Sequence, residues 1–115
     1  MPAEDLIHRH RDALADFSAA VDRLIPVLRA TALATVRDAF PSAERLEVLG
    51  EINEDWAWTL RIQRVLDSGG GALFDVTTGA DPDVEDLIHE VGIEYLDLLL
   101  EITGEDYFGT HEIPA

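Results

Sequence analysis

The chain has no cysteine, which removes disulfides, thiolate nucleophiles and thiolate metal sites from consideration. It has no lysine either; all eight bases are arginine. The last base is Arg64, and residues 65–115 hold thirteen acids without one Lys or Arg. Direct nucleic-acid binding through that half is not expected, because phosphate contacts need cations. Serine occurs only at positions 18, 42 and 68, and no Gly-x-Ser-x-Gly elbow exists. Gly69-Gly70-Gly71 lacks the Gly-Lys-Ser/Thr of a phosphate loop and reads as a hairpin turn. No apolar run approaches the roughly 20 residues that span a bilayer. The N-terminus carries Glu4 and Asp5 in place of the apolar segment of a signal peptide. The expectation is a soluble, cytoplasmic protein with no membrane contact, no catalytic residues, no cofactor and no metal.

What is present suits one domain with a single core: 115 residues, 47% of them hydrophobic. Twenty-four acids against eight bases give a net charge of −16. Residues 1–64 account for only −3 of it. A basic partner and plain solubility are the two readings of such an imbalance.

The pattern predicts an αβββα order. A helix over about 4–40 follows from Ile7, Leu14, Val21 and Leu28 at intervals of seven, with His10, Phe17 and Leu24 between them. Pro26 predicts a kink or restart, and Pro41-Ser42 a stop. A straight helix of that length reaches about 55 Å, far beyond the ~13 Å radius of gyration of a 115-residue globule. It must therefore bend, or overhang and meet a partner. A heptad repeat on an overhang suits a homodimer seam; a face lying on its own sheet is the plainer alternative.

Strands are predicted at about 45–52, 56–67 and 72–77. Trp56, Trp58, Leu60 and Ile62 share one parity and read as the core face. A three-residue turn, Asn53–Asp55, would set Gly50 beneath Trp58 and Glu47 opposite Arg61. Asp81-Pro82-Asp83 opens a second helix over about 82–103, with Asp81 as N-cap and Gly104 just past its end. The tail, 104–115, either docks Tyr107, Phe108 and Ile113 or frays. The expected fold is α+β: a kinked N-terminal helix, a three-stranded antiparallel meander in order 1-2-3, and a C-terminal helix, with both helices on one face of the sheet.

The second helix carries three arcs. Val84, Leu87, Ile88, Val91, Tyr95, Leu98, Leu99 and Ile102 form the expected core face. Asp83, Asp86, Glu90, Glu94, Asp97 and Glu101 form an acidic face. Ile93, Leu96 and Leu100 lie on the far side of the acids. Carboxylates three and four residues apart sit about 5–6 Å from one another, close to the spacing of phosphates along a strand. That face is the candidate partner-binding surface, with Ile93, Leu96 and Leu100 as its apolar centre; the plain alternative is a solvated face. Glu85 and His89 at i,i+4 could share an ion but have no third ligand, and His8 and His10 diverge on a helix. Arg64 breaks the core parity of its strand. It either snorkels to a carboxylate at the rim or, with His89 and Trp56, lines a ligand pocket between helix and sheet. The leading expectation is a non-enzymatic acidic module that masks a basic site on a protein partner. A small ligand-binding protein or enzyme and a homodimeric scaffold are the alternatives.

Overall fold

Proline at position 26 does not stop the first helix. In the computed structural model, which describes residues 2–114 apart from the side chain of Glu105, Ala3–Val36 form one 34-residue helix, α1. Pro26 lacks the N–H that would meet the Asp22 carbonyl, but both residues are exposed, so water can take that carbonyl. The helix ends at Val36, short of the expected Phe40. There the Arg37 N–H donates to the Leu33 carbonyl. The Arg37 guanidinium donates to the Ala43 carbonyl at 2.7 Å. Only Leu28, Ala32, Leu33 and Val36 of α1 are buried. The helix overhangs: the molecule extends 61 × 31 × 22 Å with a radius of gyration of 17.5 Å.

Strands β1 (Arg45–Ile52) and β2 (Trp58–Leu66) are antiparallel, with Ile52 opposite Trp58 and Leu49 opposite Arg61. This overturns the three-residue turn and the Glu47–Arg61 pairing. The Asn53 side-chain oxygen takes the N–H groups of Asp55 and Ala57, at 2.9 and 3.0 Å, and so builds a wider loop. Trp56 enters that loop at φ 62, a left-handed conformation unusual for an aromatic residue. Trp56 is therefore not a strand residue. It is 83% exposed, and Trp58 is 47% exposed; the expected tryptophan core is corrected.

Further along, the register shifts between Glu47 and Val48. Val48 faces Ile62, but Glu47 faces Arg64. One extra residue in β2 makes a β-bulge, and beyond it the faces exchange parity. Val65 turns to the core, and Arg64 turns to the outer face beside Glu47. Strand β3 (Ala72–Asp75) is shorter than expected and pairs with the end of β2.

The tail supplies a fourth strand. Gly104 (φ 65) ends the second helix, a 3₁₀ turn spans Gly104–Tyr107, and Gly109 (φ 82) starts β4 (Gly109–Pro114). β4 pairs antiparallel with β1, so the sheet order is β3-β2-β1-β4 rather than a three-stranded meander. Gly50 makes room for this: a Cβ there would collide with the Tyr107 carbonyl oxygen. It thus lies under the 107–108 backbone and not under Trp58. Ala115, the end of the expected tail, lies outside the described residues.

The second helix runs from Pro82 to Thr103 as expected. Asp81 caps it, accepting the Asp83 and Val84 N–H groups at 3.0 and 3.2 Å. It is not one regular helix. An α-helical part, α2 (Pro82–Val91), passes through a π turn (Gly92–Leu96) into α3 (Asp97–Thr103). A single core gathers Leu33 and Val36 of α1, Ile88 and Val91 of α2, Leu99 and Leu100 of α3, and Leu46, Val48, Leu60, Ile62, Val65, Phe74 and Ile113 of the sheet. No helix among the described residues is long and apolar enough to cross a membrane.

Candidate functional site

The π turn decides which side chains the second helix presents. It uses more residues per turn than an α-helix, so every position beyond it is rotated from the regular pattern. Val91 and Leu96, five apart, both reach the core. Leu96 and Leu100 are fully buried, which removes them from the expected partner-binding surface. Leu98, expected in the core, is 37% exposed. Ile93 alone of that apolar trio is surface, at 51%.

The same rotation separates Asp97 and Glu101 from the acids before the turn. The Asp97 carboxylate binds the Arg61 guanidinium through both oxygens, with Nη2 to Oδ2 at 3.2 Å. It also accepts the Leu60 N–H at 3.3 Å. Buried Gly92 gives the Arg61 stem its path, since a Cβ there would sit 2.9 Å from Arg61 Cδ. Asp83, Asp86, Glu90, Glu94 and Glu101 remain exposed. Among the described residues the ion pairs are Arg37–Glu44, Arg45–Glu112, Arg61–Asp97 and Arg64–Glu47, so none reaches these five acids. Asp83, Asp86, Glu90 and Glu94 thus make a one-signed face beside exposed Ile93, while Glu101, beyond the π turn, faces the α1 overhang.

Arg64, His89 and Trp56 are not brought together. Arg64 lies on the outer face of the sheet, where Nε donates to Glu47 Oε1 at 3.0 Å and the second nitrogen to Oε2. Those hydrogen bonds hold the Glu47 carboxyl below the ordinary glutamate range, against the opposing effect of burial, and raise the Arg64 guanidinium. Nearby Asp75 is held low chiefly by the backbone N–H of Thr77, then by its hydroxyl. Trp56 is at the β1–β2 loop.

His89 instead borders a crevice of about 340 Å³ between the sheet and α2. Arg61, Gln63, Glu85 and His89 rim it, with Ile62, Phe74 and Ile88 below. Glu85 is partly engaged there, accepting the Ala80 N–H at 3.2 Å. Among the described residues no third His, Asp or Glu joins Glu85 and His89 in a group able to hold a metal ion. Arg61 and Gln63 were not apparent as crevice residues from the sequence, because strand parity alone places them on the outer face. Their approach to α2 follows from the short β3, which leaves the middle of β2 without a neighbour on that side.

A second concavity, of about 520 Å³, lies between the α1 overhang and the end of α3. Leu14, Phe17, Ser18 and Val21 line one side, Glu101 and Ile102 the other.

No family model, no curated protein and no solved structure matches the chain.

Proposed function

We propose that this chain is a non-enzymatic, acidic interaction module that binds a protein with a basic surface. By covering that surface it masks a site that otherwise takes nucleic acid, as an antitoxin, an immunity protein or a nucleic-acid mimic does. The observation that carries this reading is the exposed set Asp83, Asp86, Glu90 and Glu94, which no ion pair among the described residues reaches. Clustered like charges weaken the fold through self-repulsion, and solubility alone is met by mixed charges. Exposed Ile93, between Glu90 and Glu94, supplies an apolar contact with the acids as its polar rim.

The test uses the full chain as bait and then the purified pair. Asp86→Asn, Glu90→Gln and Glu94→Gln are combined, leaving Asp97 in its ion pair. The expected result is an on-rate reduced at least about tenfold, with a shallower salt dependence, and thermal stability unchanged or raised. A partner without a basic surface, or a triple variant with the same on-rate and salt slope, overturns the reading.

The crevice favours one second reading, a small-ligand site, since an apolar floor with a few convergent polar groups is the usual form of one. It predicts a ligand-induced thermal shift that His89→Ala abolishes and that the Asp86/Glu90/Glu94 substitutions leave intact.

A further inference from the structure

Residues 3–24 of α1 leave a long apolar face largely without cover in their own domain. Leu6, Ile7, Leu14 and Phe17 are each more than half exposed, and Leu24 is 37% exposed. The overhang is also far less acidic than residues 65–115, which hold thirteen acids and no Lys or Arg. Residues 3–24 hold five acids and three arginines, a net of −2 out of −16, and include the run His8-Arg9-His10-Arg11. We infer that a second copy of this chain covers this face. The two α1 overhangs pair antiparallel, and Ile7–Arg11 of each copy enters the concavity that Leu14, Phe17 and Val21 form with Glu101 and Ile102 of the other.

Three arguments select this occupant and this direction. The first is self-complementarity. A two-fold axis near Leu14 sets Ile7 of one copy beside Val21 of the other and brings Arg11 beside Phe17. The same patch then serves both copies, as an isologous interface requires. Apolar side chains meet along the seam, and the arriving His10 and Arg11 reach Glu101, the acid at the rim of the concavity.

The second argument is electrostatic. A parallel pairing would put two strongly acidic bodies side by side and the two Glu4-Asp5 pairs together. The antiparallel pairing places the bodies at opposite ends and keeps the two Glu4-Asp5 pairs apart. Repulsion between the bodies then falls with distance and is screened by salt.

The third argument is size. An overhang of 22 residues is about 33 Å long and 10–12 Å wide with its side chains. Its projected strip is roughly half of the ~800 Å² that each partner buries in a standard interface. Two overhangs touching only each other would fall short. The concavity adds α3 to the contact and lengthens it, so the second copy meets both the helix and the body.

This surface is distinct from the Asp86–Glu94 face, and the two stand or fall separately. The test is the mass of the full chain in solution, by light scattering at high micromolar concentration. The expected value is twice the 12.7 kDa of one chain. Phe17→Asp, on a residue 67% exposed in the single chain, should weaken association at least about tenfold while the circular dichroism of the protein stays unchanged. The Asp86/Glu90/Glu94 substitutions should leave the mass as it is. Because the chain has no cysteine, direction can be read by single-cysteine variants. An Ile7→Cys chain mixed with a Val21→Cys chain should form a mixed disulfide, and Ile7→Cys alone should not cross-link. A monomer at that concentration, a dimer indifferent to Phe17→Asp, or self-cross-linking of Ile7→Cys overturns the inference.

Discussion

Asp97 and Arg61 meet beside the unpaired edge of β2. β3 pairs only with Arg64–Leu66 of that strand, so the Leu60 N–H faces no other strand. The Asp97 carboxylate receives it together with the Arg61 guanidinium, which also donates to the Leu60 carbonyl at 3.1 Å. The second helix thereby closes a sheet edge that would otherwise offer a template for pairing.

Asp97→Ala should lower stability by about 1–3 kcal/mol in urea denaturation, since it strands the Leu60 N–H and the guanidinium in a half-buried place. Asp97→Asn keeps an acceptor oxygen and should recover part of the loss. Equal losses for the two variants would show that charge alone matters there.

The Glu47–Arg64 pair predicts a pH dependence with a definite sign. The Glu47 pKa is depressed in the folded protein by its hydrogen bonds to Arg64. Its contribution is complete above the unfolded glutamate value, about 4.3, and is lost as pH falls through the lower folded value. Glu47→Gln should cost up to about 1 kcal/mol at neutral pH. The gap from the parent protein should close in acid. A gap that persists unchanged at the lowest accessible pH counts against the assignment.

Gly50→Ala should destabilise the protein by about 1–3 kcal/mol, the usual penalty for forcing atoms into a filled space. The Tyr107 backbone would have to move, so amide exchange should quicken in β4 before it does in β2. Uniform quickening would mean that β4 does not depend on this close approach.

Trp58→Ala should cost about 2 kcal/mol, from its contact with Phe108 at a centroid distance of 4.9 Å and the half of its surface that is covered. That is short of the roughly 3–5 kcal/mol of a buried aromatic. Trp56→Ala should change stability by no more than about 0.5 kcal/mol. A large loss at either position, read by chemical denaturation, would restore the tryptophans to the core.

Local signals were legible in the sequence, and interruptions of period were not. The Asp81-Pro82 start and Gly104 end of the second helix follow from residue chemistry within one turn, and both are found. The bulge and the π turn each add one residue to a regular pattern, and both left a trace. Ile62 and Val65 are three apart in a strand whose apolar residues otherwise recur every two. Val91 and Leu96 are five apart in a helix whose apolar residues otherwise recur every three or four. Reading one unbroken period through each put Arg64 on the wrong face of the sheet, and it left Leu96 and Leu100 on the wrong face of the helix. The tail was harder. β4 forms because β1 has an open edge, and that edge is visible only once the sheet is assembled. The overhang of α1 was foreseen as one of two outcomes, since helix length is set locally while its cover is not.

Both tryptophans of the chain sit at one end of the β1–β2 hairpin, one at the loop and the other half-exposed beside it. The buried interior is built from Leu, Ile, Val, Ala and one Phe. The two indoles therefore report on different events. Trp56, 83% exposed, starts at the long-wavelength emission of a wetted indole and senses whatever settles on the tip. Trp58, stacked on Phe108, senses the docking of the 107–108 segment and loses that contact when the fold melts. A Trp58→Phe variant leaves Trp56 as a single optical probe of the tip, where a blue shift on mixing with another molecule marks contact.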